Sequence, residues 1–323
     1  MEIFAQSKTY KFMKISNPMI AISVILSIVS MVLFFTKGLN YGIDFSGGTV
    51  AQVKYNSNAP IDKIRELTNA DPFFNGASVT EFGSSEEITI RFAGSSEELA
   101  EDVGDKIHEL LKDTGEFEVR QVNMVGPKVG EELRKKGIMS ITVALIAILA
   151  YIAVRFEWRF GLAAVVSQFH DVLLIVGVIV VLRIDVNLEI LAAVLTLLAY
   201  SLNDTIVVFD RIRDEIKKAK TNNLSDIIDL SVSKTLSRTI LTSLTTLLVV
   251  LALLIFGGEA IKGFALTLAI GIVIGTYSSI FIAAPLLKWL KFDISGYKAN
   301  IAKKERAKME KEKMRSMYEK GIV

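Results

Sequence analysis

The stretch Ala199-Tyr-Ser-Leu-Asn-Asp-Thr-Ile-Val-Val-Phe-Asp-Arg-Ile-Arg213 decides the fold class of this chain. It places Asn203 and Asp204 inside an apolar run that begins near Leu188 and ends at Asp210. The run is long enough to cross a bilayer. A charged side chain at the centre of such a segment costs about 2.5–3.5 kcal/mol on insertion scales, so its presence indicates a function. We therefore interpret Asp204 as a candidate functional residue of a membrane-spanning helix.

The composition points the same way. Hydrophobic residues make up 51% of the 323 residues, and the mean hydropathy is +0.44. These values are too high for an ordinary soluble protein, and the apolar residues fall in long blocks. The sequence therefore predicts an α-helical polytopic membrane protein. The absence of cysteine excludes a disulfide framework, thiolate catalysis and cysteine-based metal sites.

Six apolar blocks have the length of a transmembrane helix. They are residues 19–35, 138–154, 160–182, 188–209, 236–256 and 264–287. Lysine and arginine are concentrated before the first block, in alternate connections and in the tail, which places both termini in the cytoplasm by the positive-inside rule. The first block has no cleavage signal and is interpreted as an uncleaved anchor. The predicted organisation is a cytoplasmic N-terminus and first span (1–36), an extracytoplasmic domain (37–137), spans two to six (138–290) and a basic cytoplasmic tail (291–323).

The extracytoplasmic region has the pattern of a small α+β domain. Alternating or β-rich segments predict strands at residues 50–55, 77–82, 87–92 and 117–124. Helices are predicted at 61–67, after Pro60, and at 95–112, after a capping box. The order βαββαβ favours a ferredoxin-like domain, and Gly126-Pro127 is expected to break the chain before the second span. Such a domain binds partners more often than it catalyses a reaction.

Spacing suggests a partner for Asp204. Arg238 lies a few residues into the fifth span, which runs back across the membrane, so antiparallel helices would bring Arg238 to the depth of Asp204. We therefore predict an intramembrane pair between Asp204 and Arg238. The alternative is a carboxylate that caps a helix end or reaches the interface.

Several polar residues near this pair are candidates for a relay or for structural hydrogen bonds. Arg238, Thr242, Thr245 and Thr246 form a stripe on one face of the fifth span, and hydroxyl groups there could hold water for a proton path. Interhelical hydrogen bonding is the competing explanation. Ser201 and Asn203 belong to the same group of relay or structural candidates because they precede Asp204 in the fourth span.

The third span carries a second polar group, Ser167, Gln168, His170 and Asp171. His170 titrates closest to neutral pH, so His170 and Asp171 could join a relay. A structural cluster that fixes helix packing is the alternative. Since His170 and Asp171 are adjacent on a helix, they are expected to point apart and not to act as one unit.

Other features predict packing or surface roles. Gly271 and Gly275 form a small-xxx-small pattern in the last span, which indicates close helix packing. The tail from Lys298 onward is rich in lysine and glutamate and predicts a solvated helix that would suit anionic membrane lipid or an acidic partner. The sequence contains no P-loop, zinc-ligand spacing or nucleophile elbow, so we expect no cofactor, no metal, no hydrolytic site and no nucleic acid partner.

Four motifs of the sequence resemble those of a known family. Gly42-Ile-Asp-Phe-Ser-Gly-Gly-Thr49, Arg155-Phe-Glu-Trp-Arg159, His170-Asp171 and Tyr200-Ser-Leu-Asn-Asp-Thr through Arg213 occur in order along the chain. Together they resemble the SecF branch of the SecD/SecF family of bacterial protein-export membrane subunits. The resemblance runs from the first span to the last and leaves out only the extreme N-terminus and the charged tail.

The resemblance implies both a fold and a function. Proteins of this branch are similar to half of a resistance-nodulation-division-type helix bundle, and SecD supplies the other half. The implied partners are SecD, the SecYEG channel, YajC and YidC, and the exported unfolded polypeptide, at the bacterial inner membrane. The implied activity is use of the proton-motive force in late steps of translocation. Matched by motif, Asp204 and Arg238 are the residues implicated in proton passage.

The alternatives to this function are an exporter of small molecules and a non-conducting scaffold. A proton-coupled exporter of small molecules would be expected to have a soluble region of several hundred residues and a second repeat, and the chain has neither. A non-conducting scaffold of the translocon would use its buried charges only for assembly. Proton flux through the assembled complex separates the scaffold from a proton-driven subunit.

Overall fold

The computed structural model describes residues 9–74, 76–93 and 103–319. The helices are α1 Phe12–Lys37, α2 Ile43–Ser46, α3 Ile61–Ala70, α4 Val103–Leu111, α5 Pro127–Arg155, α6 Trp158–Val181, α7 Leu188–Lys218, α8 Leu224–Phe256, α9 Glu259–Ser278, α10 Ala284–Trp289 and α11 Ile294–Glu319. The strands are β1 Asn40–Tyr41, β2 Gly48–Tyr55, β3 Ser78–Phe82, β4 Ser84–Phe92, β5 Phe117–Val125 and β6 Asp185–Val186.

Six helices have the length and apolar composition needed to span a membrane. They are α1, α5, α6, α7, α8 and the nearly continuous helix made by α9 and α10, and they confirm the six predicted spans. Helix α7 continues nine residues past the predicted span end at Phe209, to Lys218. The extension is stabilised by ion pairs one turn apart, such as Arg211 with Glu215 at 3.2 Å.

The soluble domain folds into a four-stranded antiparallel sheet in the order β3-β4-β2-β5. Strand β2 pairs with β4 on one side and with β5 on the other, which is the strand order of a ferredoxin-like domain. Helices α3 and α4 cover one face through Ile64, Ile107 and Leu111, all fully buried. The prediction of this fold is confirmed. The first residues of the helix predicted at 95–112 lie outside the described residues, and its described part is α4.

Pro127 begins a helix, whereas the sequence pattern predicted a break at Gly126-Pro127. It occupies the first turn of α5, where the missing N–H costs nothing because no intrahelical acceptor awaits it. Helix α5 therefore starts in the polar segment before the membrane and joins the soluble domain to the second span without a loop.

Helix α7 lies at the centre of the bundle, packed against α6, α8 and α9. We call the end of the bundle that holds residues 183–187 the domain end and the end that holds residues 219–223 the tail end. Helix α1 packs on α6, and its buried face carries a row of serines seven residues apart, Ser16, Ser23 and Ser30. Ser30 approaches Gly177 of α6 so closely that a Cβ at Gly177 would lie 2.1 Å from its Oγ.

The last span contains one wide turn. Residues Ser279–Ala283 form a π-helix between α9 and α10. Pro285 cannot donate to the carbonyl four residues before it, Phe281, so the hydrogen-bond ladder is interrupted there. A single π turn is a common response to such an interruption. It also places Ser278 at the junction where the helix changes its winding.

The tail forms the solvated helix that its composition predicts. Helix α11 is exposed over most of its described length, and Ser295 N–H is bonded to Asp293 near its start. Its first turns are held on the bundle by Tyr297, whose hydroxyl accepts a hydrogen bond from Arg213 Nε at 3.1 Å. The basic helix thus emerges beside the extended end of α7.

Candidate functional site

Asp204 is buried where α7, α8 and α9 meet, with 3% of its surface exposed. Its carboxylate accepts a hydrogen bond from Ser243 Oγ of α8 at 3.4 Å. Ser243 Oγ is in turn 2.7 Å from Thr276 Oγ1 of α9. Within the described part of the chain the bond from Ser243 is the one hydrogen bond that the Asp204 carboxylate accepts, and it is long. The capping alternative for Asp204 is wrong, because the helix continues far beyond it.

The predicted direct pair between Asp204 and Arg238 is absent from the described residues, since the two are not within the 4.0 Å of an ion pair. The charge of Arg238 acts on Asp204 only through space. The reason is register: Ser243, not Arg238, lies opposite Asp204. Arg238 is five residues away from Ser243 on α8, about 7.5 Å nearer the tail end of the bundle.

Arg238 lies in a polar cleft at that end, between α7 and α8. The cleft has a volume of about 400 Å³. Its lining residues are Val207, Asp210, Arg211, Asp214, Lys234, Thr235 and Arg238. Because Arg238 is exposed in this cleft and Asp204 lies within two helical turns of it, the cleft provides a polar approach to the buried acid from the tail end.

The threonine stripe of α8 does not face Asp204. Thr242 and Thr245 are exposed, and their hydroxyls donate to carbonyls of the same helix at 2.9–3.0 Å. The face of α8 turned toward α7 carries Thr239 and Ser243 instead, which are 1% and 7% exposed. Sequence spacing selected the wrong face because Arg238 was taken as its reference. Ser243 was missed, although its spacing of four from Thr239 was a usable signal.

Ser201 and Asn203 of α7 take opposite positions. Ser201 is buried and faces α6 and α9, whereas Asn203 is exposed on the outer surface of the bundle. The relay candidates Ser201, Asn203 and Thr242 are therefore not brought together. Only Ser201 lies inside the bundle, and its hydroxyl donates to another acid.

That acid is Asp171 of α6, which is 2% exposed and fully engaged. One carboxylate oxygen accepts hydrogen bonds from Ser201 Oγ of α7 at 2.5 Å and from Ser278 Oγ of α9 at 2.8 Å. The other lies 2.9 Å from His170 Nδ1. The expectation that His170 and Asp171 point apart is wrong, because their side chains bend toward each other although their Cα atoms are adjacent. Three helices are thus joined at Asp171.

The two glycines of the last span allow this junction. A Cβ at Gly275 would lie 2.9 Å from Ser201 Cβ and 3.3 Å from its Cα, and a Cβ at Gly271 would lie 2.2 Å from the tip of Leu197. Helices α7 and α9 therefore approach at van der Waals contact along Gly271 and Gly275. The close approach at Gly275 is what places Ser201 and Ser278 on the same carboxylate oxygen.

The titratable groups of the bundle do not form a metal site within residues 9–74, 76–93 and 103–319, where no group of three or more histidine, cysteine, aspartate or glutamate side chains is suitably placed. Asp204 is buried, accepts one long hydrogen bond and forms no ion pair within the described residues, which makes it the candidate for a residue that binds a proton. The fold and site define a polytopic membrane protein with an intramembrane acid and an attached ferredoxin-like domain.

Comparisons with known proteins give this class a family. The family model for the C-terminal region of the protein export membrane proteins SecD and SecF matches residues 106–293, and the model of the SecD/SecF GG motif matches residues 32–59. The chain belongs to the SecD/SecF family. As a member of it, the chain is a membrane subunit of the Sec protein-export machinery.

Individual relatives agree. The chain is 48% identical over 323 residues to protein translocase subunit SecF of Helicobacter pylori J99, covering 100% of both chains. It is 44% identical over 287 residues to SecF of Vibrio alginolyticus, covering 88% of this chain and 91% of that one. The crystal structure of SecDF, a translocon-associated membrane protein from Thermus thermophilus, matches with a TM-score of 0.82 and 34% identity over 90% of this chain. The match covers 40% of the SecDF chain.

Proposed function

We propose that this chain pairs with a SecD subunit and couples the proton-motive force to late steps of polypeptide translocation, with Asp204 as the proton-binding residue. The observation that carries the proposal is the state of Asp204. It is 3% exposed and accepts one hydrogen bond, of 3.4 Å, within the described residues. An acid that is buried without a matched partner can lose or gain a proton without breaking a network.

The energy available is sufficient for a conformational switch. One proton that crosses a membrane potential of 100 mV releases about 2.3 kcal/mol. A bias of about 1.4 kcal/mol changes a two-state equilibrium tenfold. Protonation of Asp204 would remove its attraction to Arg238 and its demand on Ser243. We propose that α7 and α8 then shift relative to each other and that the soluble domain follows.

The outer surface of α7 and α8 supports the pairing with SecD. Asn203 of α7 and Arg238 and Thr242 of α8 are exposed there, at positions inside membrane-spanning helices. Polar side chains in such positions are costly against lipid and usually face protein or a water-filled cavity. The SecDF match covers 40% of a chain whose printed name joins both subunits, which leaves room for a SecD half. A SecD helix laid on this surface would cover Asn203 and bring new groups to Arg238.

The proposal extends to the wider assembly. We propose that the complex lies in the bacterial inner membrane, with both termini and the cleft around Arg238 on the cytoplasmic side and the soluble domain outside. The SecYEG channel, YajC and YidC are the proposed neighbours, and the exported unfolded polypeptide is the proposed substrate. The basic helix α11 would lie near anionic lipid of the inner surface.

Asp204→Asn in the complex with SecD tests the function. Asparagine keeps the size and one acceptor for Ser243 but cannot take up a proton reversibly. We expect gradient-dependent export in inside-out vesicles to fall to the level seen without a gradient, while ATP-driven export continues.

Asp226→Asn is the matched control. It also removes a carboxylate, but at the exposed start of α8, where Asp226 is bonded to Asn223 at 2.7 Å. This variant should export normally. Normal gradient-dependent export by Asp204→Asn would contradict the proposal.

A further inference from the structure

The loop between α6 and α7 is bonded to the soluble domain in two ways. Its strand β6 runs parallel to β1, with Asn40 opposite Asp185 and Tyr41 opposite Val186. The backbone N–H of Gly42 also donates to Val186 O at 2.9 Å. A short parallel pairing between the segment after α1 and the segment before α7 thus closes the domain end of the bundle.

Asp185 is the central side chain of this connection. One of its carboxylate oxygens accepts a hydrogen bond from the side chain of Asn40, and the other forms an ion pair with Arg91. Arg91 belongs to β4, an inner strand of the sheet that pairs with β2 across Val50. The Asp185 side chain is 39% exposed and that of Arg91 is 30% exposed, so both are half-buried. Asp185 therefore joins the loop before α7 directly to the sheet.

The first turn of α7 is held by the same region. Leu188 N–H donates to Asp44 Oδ2 at 3.0 Å, and Ile190 N–H donates to the N-cap residue Asn187 at 2.9 Å. A carboxylate at a helix N-terminus satisfies a free N–H group and interacts favourably with the helix dipole. One of the two caps of α7 thus comes from a different segment, the short helix α2.

The segment that carries Asp44 is itself fixed to the domain. Gly47 and Gly48 follow α2 with φ values of 72° and 116°, which favour glycine. A Cβ at Gly47 would lie 2.8 Å from Pro127 Cα, and one at Gly48 would lie 2.7 Å from Phe92 O. The two glycines therefore bring α2 against the start of α5 and the end of β4. Asp44 is held in a rigid junction.

These contacts lie on the helix that carries the buried acid. Asp204 is 16 residues after Leu188 in the unbroken helix α7, about 24 Å along its axis. We propose that Asp185 with Arg91, together with the Asp44 cap, forms a coupling latch that transmits movement of α7 to the sheet of the soluble domain. This inference rests on the proposed function, and it assigns positioning roles to Asp185, Arg91 and Asp44.

The test uses the complex with SecD, reconstituted in vesicles, and measures proton flux and gradient-dependent export separately. Asp185→Ala keeps the backbone pairing of β1 with β6 but removes the ion pair. We expect proton flux to remain and export to fall roughly tenfold, within the 5–150-fold that couplings between sites typically produce. The double variant Asp185→Arg with Arg91→Asp restores opposite charges and should recover most of the export.

Glu87→Gln is the matched control. Glu87 lies on the same strand as Arg91, accepts a hydrogen bond from Gln52 at 2.7 Å and forms an ion pair with Arg120 at 3.9 Å, entirely within the soluble domain. Its loss should leave both flux and export unchanged. Equal losses of export in Glu87→Gln and Asp185→Ala would overturn the latch, because the effect would then be one of domain stability.

Variants of Asp44 provide an independent test of the latch. Asp44→Asn still offers an oxygen to Leu188 N–H, whereas Asp44→Ala does not. Export should therefore be retained in the first variant and lost in the second, again with flux preserved. Parallel loss of flux and export in Asp185→Ala, without recovery in the charge-swapped pair, would overturn the latch. A wild-type complex without gradient-driven export would overturn the proposed function itself, and the latch with it.

Discussion

Asp171 of α6 and Asp204 of α7 are both buried in this bundle, and their surroundings are opposite. Asp171 is 2% exposed and is contacted by Ser201, Ser278 and His170 at 2.5–2.9 Å. Asp204 is 3% exposed and accepts one hydrogen bond of 3.4 Å within the described residues. The two side chains are thus about equally inaccessible to solvent, but Asp171 has several close hydrogen-bond partners and Asp204 has one distant partner.

We propose that this difference separates a structural acid, Asp171, from a functional one, Asp204. A buried carboxylate with all its partners in place is rigid, because any change of charge or position breaks several hydrogen bonds at once. A buried carboxylate with few partners can change its state at less cost to its neighbours. We infer that Asp171 fixes the packing of α6, α7 and α9, and that Asp204 is the residue that moves protons. The structural alternative for His170 and Asp171 is therefore the one that the geometry favours.

The largest expected effect on folding is that of Asp171→Ala. It removes the carboxylate to which Ser201, Ser278 and His170 are bonded and leaves Ser278 only the carbonyl of Gly275, so unfolding in detergent should become easier by about 3–5 kcal/mol, as when one partner of a buried pair is removed. Asp171→Asn keeps one acceptor oxygen and should cost less. Asp204→Asn should leave stability nearly unchanged. If Asp204→Asn destabilised the protein as much as Asp171→Ala, the distinction between a structural and a functional aspartate would be wrong.

Gly275→Ala should have the next largest effect on stability. Its Cβ would meet Ser201 Cβ at 2.9 Å and Ser201 Cα at 3.3 Å, which cannot move without shifting α7. We expect a loss of about 1–3 kcal/mol, typical of overpacking. Gly271→Ala meets only the flexible end of Leu197 and should cost less. Thermal unfolding of the two variants side by side measures the difference, and equal losses would show that the Asp171 junction does not depend on Gly275.

Arg238 should matter for its charge alone. Within the described residues its guanidinium forms no ion pair, so the bidentate geometry that distinguishes arginine from lysine is not used. Arg238→Lys should retain gradient-dependent export, whereas Arg238→Gln should lose it about tenfold, equivalent to roughly 1.4 kcal/mol. An inactive Arg238→Lys would mean that a fork-shaped contact forms in the complex with SecD.

The smallest expected effects concern two neighbouring residues of α8, Ser243 and Thr242. Ser243→Ala removes the hydrogen bond to Asp204, and intramembrane hydrogen bonds average about 0.6 kcal/mol. It should therefore change gradient-dependent export by no more than about threefold, the equivalent of that energy. Thr242→Ala is the control and should change nothing, since the hydroxyl of Thr242 bonds its own helix. An equal change in Thr242→Ala would mean that the outer stripe faces the acid in the complex.

Much of this architecture could be predicted from the sequence. Span positions follow from apolar blocks, and the ferredoxin-like domain follows from alternating strands separated by amphipathic helices. Asp204 stood out because a charge in an apolar run is costly wherever the helix packs. These inferences depend on local composition and period, which a single sequence contains.

The partners of the buried acids could not be predicted in the same way. The depth of Arg238 relative to Asp204 depends on the length of the α7 extension and of the connection at 219–223, and an offset of five residues replaced Arg238 by Ser243. The contact of His170 with Asp171 depends on side-chain rotamers selected by Ser201 and Ser278 from other helices. The partner of Asp204 and the contact of His170 with Asp171 are thus both determined by contacts between segments that are distant in the sequence.

The most direct test of the central claim is to observe which aspartate changes protonation. Infrared difference spectra of the complex with SecD, recorded between high and low pH, report the stretch of a protonated carboxyl group. We predict a band that disappears in Asp204→Asn and persists in Asp171→Asn. A band that persists in Asp204→Asn and disappears in Asp171→Asn would contradict the account and make Asp171 the proton-binding residue.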